Sequence, residues 1–334
     1  FRHVYLEAIV RYKVNKNFNY NGTNTQLIKV VNKIFLVSTG LCVNNVSCET
    51  LTEINAKGDY LWGYTFDNIS LTAQTCFYRQ DTIYLTGSGS PLNDRTVIFK
   101  YSIKDNRISR HEIMGNNQLY DRFNILTSIP FKDKIILTGQ SKKNERSQGI
   151  IMVLNKSMSV DTILIDNGII YQSDIWQSTT GPDSLLTCIY RVINNFFPNE
   201  VRRIIKFDEH FNQVWSYTSD TLGINRTFPR GTVLRDGRLA FVDFKPEQNS
   251  GLNSLRCLDT ITKRNSWMFS YQNVPSWGRK LGSVKQLRNG DIICTGEYTT
   301  KTTEPRIEGS PYMMRVDSTG KLLWERAYVE IAPD

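Results

Sequence analysis

Short apolar runs bounded by polar turn residues recur along the chain. Asn32 and Lys33 lead into Ile34-Phe35-Leu36-Val37 and end in Ser38-Thr39-Gly40; Asp81 and Thr82 lead into Ile83-Tyr84-Leu85 and end in Thr86-Gly87; Asp133 and Lys134 lead into Ile135-Ile136-Leu137 and end in Thr138-Gly139. Looser copies follow at Asp183 to Cys188, Asp236 to Phe241 and Gly290 to Gly296. A second element follows each copy, a strand, a polar turn and another strand that often carries Trp. It is clearest at Glu53 to Trp62, Lys206 to Trp215, Arg256 to Trp267 and Arg315 to Trp324. Lys100 to Ile108 and Met152 to Val160 hold the same place without the Trp. A further strand precedes each apolar run, as at Gly231 to Arg235 and Ser283 to Arg288. Each unit therefore has four short strands. A helical period of about 3.6 is nowhere sustained, and β-branched and aromatic residues dominate these segments.

Units of four strands recurring about every fifty residues predict an all-β chain, a β-propeller of six or seven blades. Asp236-Gly237, Asn289-Gly290, Gly58 and Gly320 read as hairpin turns, and the repeated Trp as core between blades. The propeller is expected over residues 24–328, with 329–334 as a tail. Residues 1–16 contain an alternating stretch, His3 to Val14, that reads as one strand. It either pairs with the last blade and closes the ring or is the outer strand of a seventh blade.

Composition narrows the class. The 334 residues are 40% hydrophobic and 22% charged, globular rather than disordered. Apolar runs fall far short of the roughly 20 residues of a membrane-spanning helix, so no membrane insertion is expected. The chain opens on Phe1 without a signal-like apolar segment, which reads as a processed or trimmed end. There are 41 Lys plus Arg against 32 Asp plus Glu, a formal charge of +9. Because Glu145, Glu200, Glu304 and Glu308 interleave with the cations, no basic run forms, and nucleic acid is not an expected partner.

Arg235-Asp236-Gly237-Arg238, Arg288-Asn289-Gly290-Asp291 and the stretch Asp317 to Trp324 resemble the degenerate propeller repeats of large secreted and surface proteins of Bacteroidota. In those repeats an Asp-Gly-Gly-type turn, a strand ending in Thr-Gly and a later Asp-x-x-Gly-x-x-x-Trp recur. The resemblance implies export of the type IX kind and a place outside the cell or on its surface; it implies no active site. Asp317 to Trp324 is also distantly similar to repeats of quinoprotein dehydrogenases, offset by one residue between the Asp and the Thr-Gly. This chain has no adjacent cysteine pair, and no cofactor is expected.

Catalytic motifs are missing. His3, His111 and His210 fall in separate units, and His210 reads as a solvated turn residue. Cys42 and Cys48 share one loop and either form a disulfide or remain thiols; Cys76, Cys188, Cys257 and Cys294 read as buried small apolar residues.

The turns inside hairpins are tight, whereas the links 88 to 95, 140 to 148, 191 to 200, 218 to 228, 244 to 252, 272 to 280 and 297 to 310 read as long and as gathering on one face. These links and their flanks carry the exposed-looking aromatics Phe196, Phe197 and Trp277, with Arg279, Lys142, Lys143, Arg146, Arg230 and Arg306; Phe197 and Trp277 either stand free or tuck under their own loops. Aromatic anchors mixed with guanidinium groups suit recognition of a protein or of an anionic polymer or glycan. The reading is a noncatalytic binding or assembly module. The alternative is a hydrolase or lyase acting on an anionic polysaccharide at the funnel mouth.

Overall fold

The computed structural model describes residues 24–30, 32–41, 47–55, 59–67, 69–70, 76–89, 95–114, 122–143, 146–165, 171–194, 200–219, 230–247, 250–272, 278–299 and 310–327. These residues form no helix and build six antiparallel blades of a β-propeller. Blade 1 holds β1 (Asn24–Val30), β2 (Lys33–Leu41), β3 (Ser47–Ile54) and β4 (Tyr60–Asp67). In blade 2 the first strand is split into β5 (Ile69–Ser70) and β6 (Cys76–Arg79), both paired with β7 (Thr82–Gly89), before β8 (Arg95–Ser102) and β9 (Arg107–Met114). Blade 3 is β10 (Arg122–Phe131), β11 (Lys134–Lys143), β12 (Arg146–Leu154) and β13 (Val160–Ile165). Blade 4 is β14 (Tyr171–Thr180), β15 (Leu186–Asn194), β16 (Glu200–Phe207) and β17 (Gln213–Thr218). Blade 5 is β18 (Gly231–Val233), β19 (Leu239–Glu247), β20 (Ser250–Leu258) and β21 (Asn265–Gln272). Blade 6 is β22 (Gly278–Gln286), β23 (Ile292–Thr299), β24 (Ser310–Val316) and β25 (Leu322–Ala327). Six blades of the expected size are thus present. Residues 1–16 and the tail 329–334 lie outside the described residues.

The chain divides into two compact units, residues 1–166 with blades 1 to 3 and residues 167–334 with blades 4 to 6. Within each, neighbouring blades pack face against face. Phe35, Leu51 and Phe66 of blade 1 join Ile83, Leu85 and Val97 of blade 2 in one buried cluster. In the second unit Ala240, Leu255 and Cys257 of blade 5 meet Val284, Ile292 and Met314 of blade 6.

Local chemistry closes the hairpins. The carboxylate of Asp208 accepts the backbone N–H groups of His210 and Asn212 at 2.9 and 2.8 Å, and Asp317 accepts those of Thr319 and Lys321 at 2.9 and 3.0 Å. Asn155 does the same for Ser157 and Ser159 at 3.0 and 3.1 Å. These self-bonding turns explain the Asp or Asn that follows the third strand in every blade but blade 2, where Ser102 bonds Asp105 instead. Gly237 and Gly290 turn at φ +86° and +93°, as the Asp-Gly and Asn-Gly pairs predict. The same ends are clasped to the following blade. Arg235 donates to the carbonyls of Leu287 and Arg288, both at 2.7 Å, and Arg79 to that of Lys134 at 3.2 Å.

Candidate functional site

In each unit the tight turns leave the other strand ends to the links between the second and third strands and between blades. Several of those links are shorter than expected. Residues 140 to 143 and 146 to 148 are strand, with Ser141 opposite Gln148 and Lys142 opposite Ser147, so only 144–145 separate β11 from β12. Likewise β19 runs to Glu247 and β20 starts at Ser250. Cross-strand pairing continues past the apolar core into polar residues, which an apolar-run boundary cannot show.

Lys142 and Lys143 therefore sit at the end of β11, half-buried, rather than on a loop. Arg146 and Arg279 are in β12 and β22 and Cys48 in β3; their side chains are outside the described residues, as are Phe196, Phe197, Trp277, Arg306 and Cys42 altogether. Cys76, Cys188, Cys257 and Cys294 are buried, and His210 is exposed in its turn, as read from the sequence. Arg230, read from the sequence as part of the binding face, is buried at 6% exposure.

That arginine belongs to a group of buried charges in blades 4 and 5, near the link-side strand ends in blade 4 and at mid-strand and beyond in blade 5. In blade 4, Asp174 of β14 lies opposite Arg191 of β15. Its Oδ2 accepts Arg191 Nε at 2.9 Å and the indole Nε1 of Trp176 at 3.0 Å. A bulge at Trp176 frees that residue from pairing, and the Arg191 guanidinium lies 5.0 Å from the centre of its ring. In blade 5, Asp243 of β19 accepts Ser219 Oγ at 2.9 Å and lies 3.3 Å from Arg256 Nε. Ser219 follows β17 and donates its own N–H to the carbonyl of Arg202 at 2.8 Å, so one serine ties the end of blade 4 to blade 5. Arg202 is buried as well.

Arg230 is held at the same junction by its backbone. Its carbonyl accepts the N–H of Val242 at 2.7 Å, and the next N–H, of Gly231, donates to the side chain of Gln177 in β14 at 2.7 Å. Only glycine fits at 231, because a Cβ there would stand 2.8 Å from both the Ala240 carbonyl oxygen and Ile189 Cδ1. The guanidinium differs from those of Arg191 and Arg256. Nε and Nη1 are buried with no hydrogen-bond acceptor, and Arg230 is in no ion pair among the described residues. Burial pulls its pKa down to about 10, still well above neutral pH, so it stays a cation.

Among the described residues, no group of three or more His, Cys, Asp or Glu could hold a metal ion. The arrangement offers a desolvated cation with open donors beside two carboxylates already taken up by Arg191 and Arg256. This is the chemistry of anion recognition. Of these residues the sequence pointed only to Arg230. Asp174, Arg191, Arg202, Asp243 and Arg256 lie inside strands, and their signal is a charge interrupting an apolar alternation, as in Leu255-Arg256-Cys257.

The sequence matches no protein family profile and no curated protein. Its fold is similar to several solved propellers. An ulvan lyase bound to a glucuronate-rhamnose-3-sulfate unit aligns with TM-score 0.61 and 9% identity over 95% of this chain and 83% of that one. A subtype N11 neuraminidase-like protein from a flat-faced bat isolate aligns with TM-score 0.56 and 7% identity, covering 90% and 89%. A quinohemoprotein alcohol dehydrogenase of Pseudomonas putida HK5 aligns with TM-score 0.51 and 9% identity, covering 91% of this chain and 58% of that one. At such identities the likeness concerns the fold alone.

Proposed function

We propose that the protein is a noncatalytic binding module that works outside the cell or on its surface and engages an acidic partner, a protein or an anionic polymer, through the link-side ends of its blades. The observation that carries this reading is the buried cation Arg230, with open donors, at the junction of blades 4 and 5. A formal charge of +9 favours the approach of an acidic partner. In the second unit Phe196, Phe197, Trp277, Arg279 and Arg306 flank the same links and supply anchors; Lys142, Lys143 and Arg146 would serve the first unit similarly. The extracellular placement rests on the resemblance of the repeats to secreted and surface propellers of Bacteroidota exported by the type IX route.

The test presents the whole chain to immobilised heparin, alginate and polyaspartate across a salt series. Retention that weakens steeply with salt and is lost in Arg279→Glu/Arg306→Glu, but kept in the hairpin-end variant Arg288→Glu, is the expected result. Equal retention by all three proteins, or the appearance of new sugar ends when the chain is incubated with the polysaccharides, would overturn it.

A further inference from the structure

We infer that Arg230 is the centre of a built subsite for one compact oxyanion, a carboxylate or sulfate group, enclosed where blades 4 and 5 meet. This deepens the proposed function and rests on it only for its biological ligand; the anion site itself rests on the side chain. A guanidinium carries five N–H donors, one at Nε and two at each terminal nitrogen. At Arg230 those on Nε and Nη1 are withdrawn from water and meet no acceptor. A buried cation without a counter-charge is among the costliest groups a fold can contain.

The surroundings could have neutralised it and do not. Asp243 lies on the strand whose Val242 N–H bonds the Arg230 carbonyl, yet its Oδ2 is directed to Ser219 and Arg256. Asp174, on the strand that supplies Gln177, is held by Arg191 and Trp176. Among the described residues Asp174 and Asp243 are each paired with another arginine, and Arg230 is in no ion pair. The peptide that joins it to Gly231 is meanwhile fixed by Val242 at its carbonyl and by Gln177 at its N–H. A fixed, dehydrated donor set is preorganised for an anion, because ordering and desolvation precede binding.

Sodium sulfate and sodium glucuronate serve as the two probes, the first for a sulfate group and the second for a carboxylate, each against sodium chloride at matched ionic strength. Binding is read by calorimetry and by the shift in unfolding temperature. We expect saturable binding of at least one probe to the wild-type chain. Affinity should fall about ten- to a hundred-fold in Arg230→Met, the range of a lost charged hydrogen bond, with partial retention in Arg230→Lys. The response that saturates identifies the group. No response beyond chloride in the wild type, or equal binding by Arg230→Met, overturns the site. Should Arg230→Met fail to fold, selenate soaked into wild-type crystals decides: an anomalous peak against the guanidinium supports the site, and its absence overturns it. Loss of sulfate binding with unchanged retention on the anionic polymers would leave the site standing and remove it from the proposed function. Retention on the polymers without a saturable anion response would overturn the site alone.

Discussion

The indole N–H of Trp215, on the last strand of blade 4, donates to the carbonyl of Thr260 in the closing hairpin of blade 5 at 2.7 Å. Trp267 repeats the contact one blade on, reaching Ser318 at 3.0 Å. The recurring Trp is therefore a clasp between consecutive blades as well as part of their core. Trp215→Phe keeps a ring but loses the donor, and should lower unfolding free energy by about 1 kcal/mol; Trp215→Ala should cost about 3 kcal/mol. Urea denaturation measures both, and a Phe variant as stable as wild type would show that the bond contributes nothing.

Gly320 and Gly237 have the same conformation in different surroundings. Their φ angles are +88° and +86°, but a Cβ at 320 would stand 2.6 Å from the Trp267 ring, whereas nothing lies within 4 Å of one at 237. Both substitutions to Ala meet the left-handed penalty of about 1–2 kcal/mol. Gly320→Ala must also displace the clasping indole, adding about 1–3 kcal/mol as in other overpacked sites. Thermal unfolding of the two variants should separate them clearly. Equal losses would show that the ring moves aside at no cost.

The blade pattern was legible because its chemistry is local. Asp208 and Asp317 bond N–H groups two and four residues ahead, so hairpins can be read from a few neighbouring letters. Strand ends were less legible. Gln140 to Lys143 are polar, and only their partners in β12 make them strand. The burial of Arg230 was hidden for the same reason. It follows Phe228 and Pro229 in a stretch that reads as loop, while the groups that enclose its backbone come from Val242 and, by way of Gly231, from Gln177 in another blade. Asp174 and Asp243 were missed because a single charge in a strand does not reveal which arginine lies across from it.

The strand cysteines bear on alkaline stability. Burial raises the thiols of Cys188 and Cys294 far above their ordinary value of 9.0 and that of Cys257 to about 11. The folded chain keeps them protonated while the unfolded chain ionises them. Their contribution is therefore complete below pH 9.0 and declines as pH rises through the folded values. Unfolding temperature should fall as pH rises above 9.0, and Cys188→Ala should make that fall shallower. The same burial predicts that Ellman's reagent leaves these three thiols untouched at pH 8 until urea is added. Rapid reaction in the native protein would contradict their enclosure.

Arg256 and Arg230 are both buried in blade 5, Arg256 opposite Phe241 and Arg230 bonded to the next residue, Val242, but substitutions around them should act in opposite directions. The Arg256 side chain is 5% exposed and has a partner in Asp243, itself 2% exposed. Asp243→Ala strands that cation and should cost about 3–5 kcal/mol, the usual consequence of breaking a buried pair. Asp243→Asn keeps an acceptor for Ser219 and should cost less. Arg230 has no carboxylate to leave behind. Arg230→Met removes an uncompensated charge and replaces its stem with apolar volume, so without added anion the variant should be as stable as wild type or more so. Urea denaturation in chloride-only buffer gives the comparison. A large loss in Arg230→Met under those conditions would mean that the guanidinium already has a compensating partner within the fold, and the uncompensated charge assigned to Arg230 would disappear.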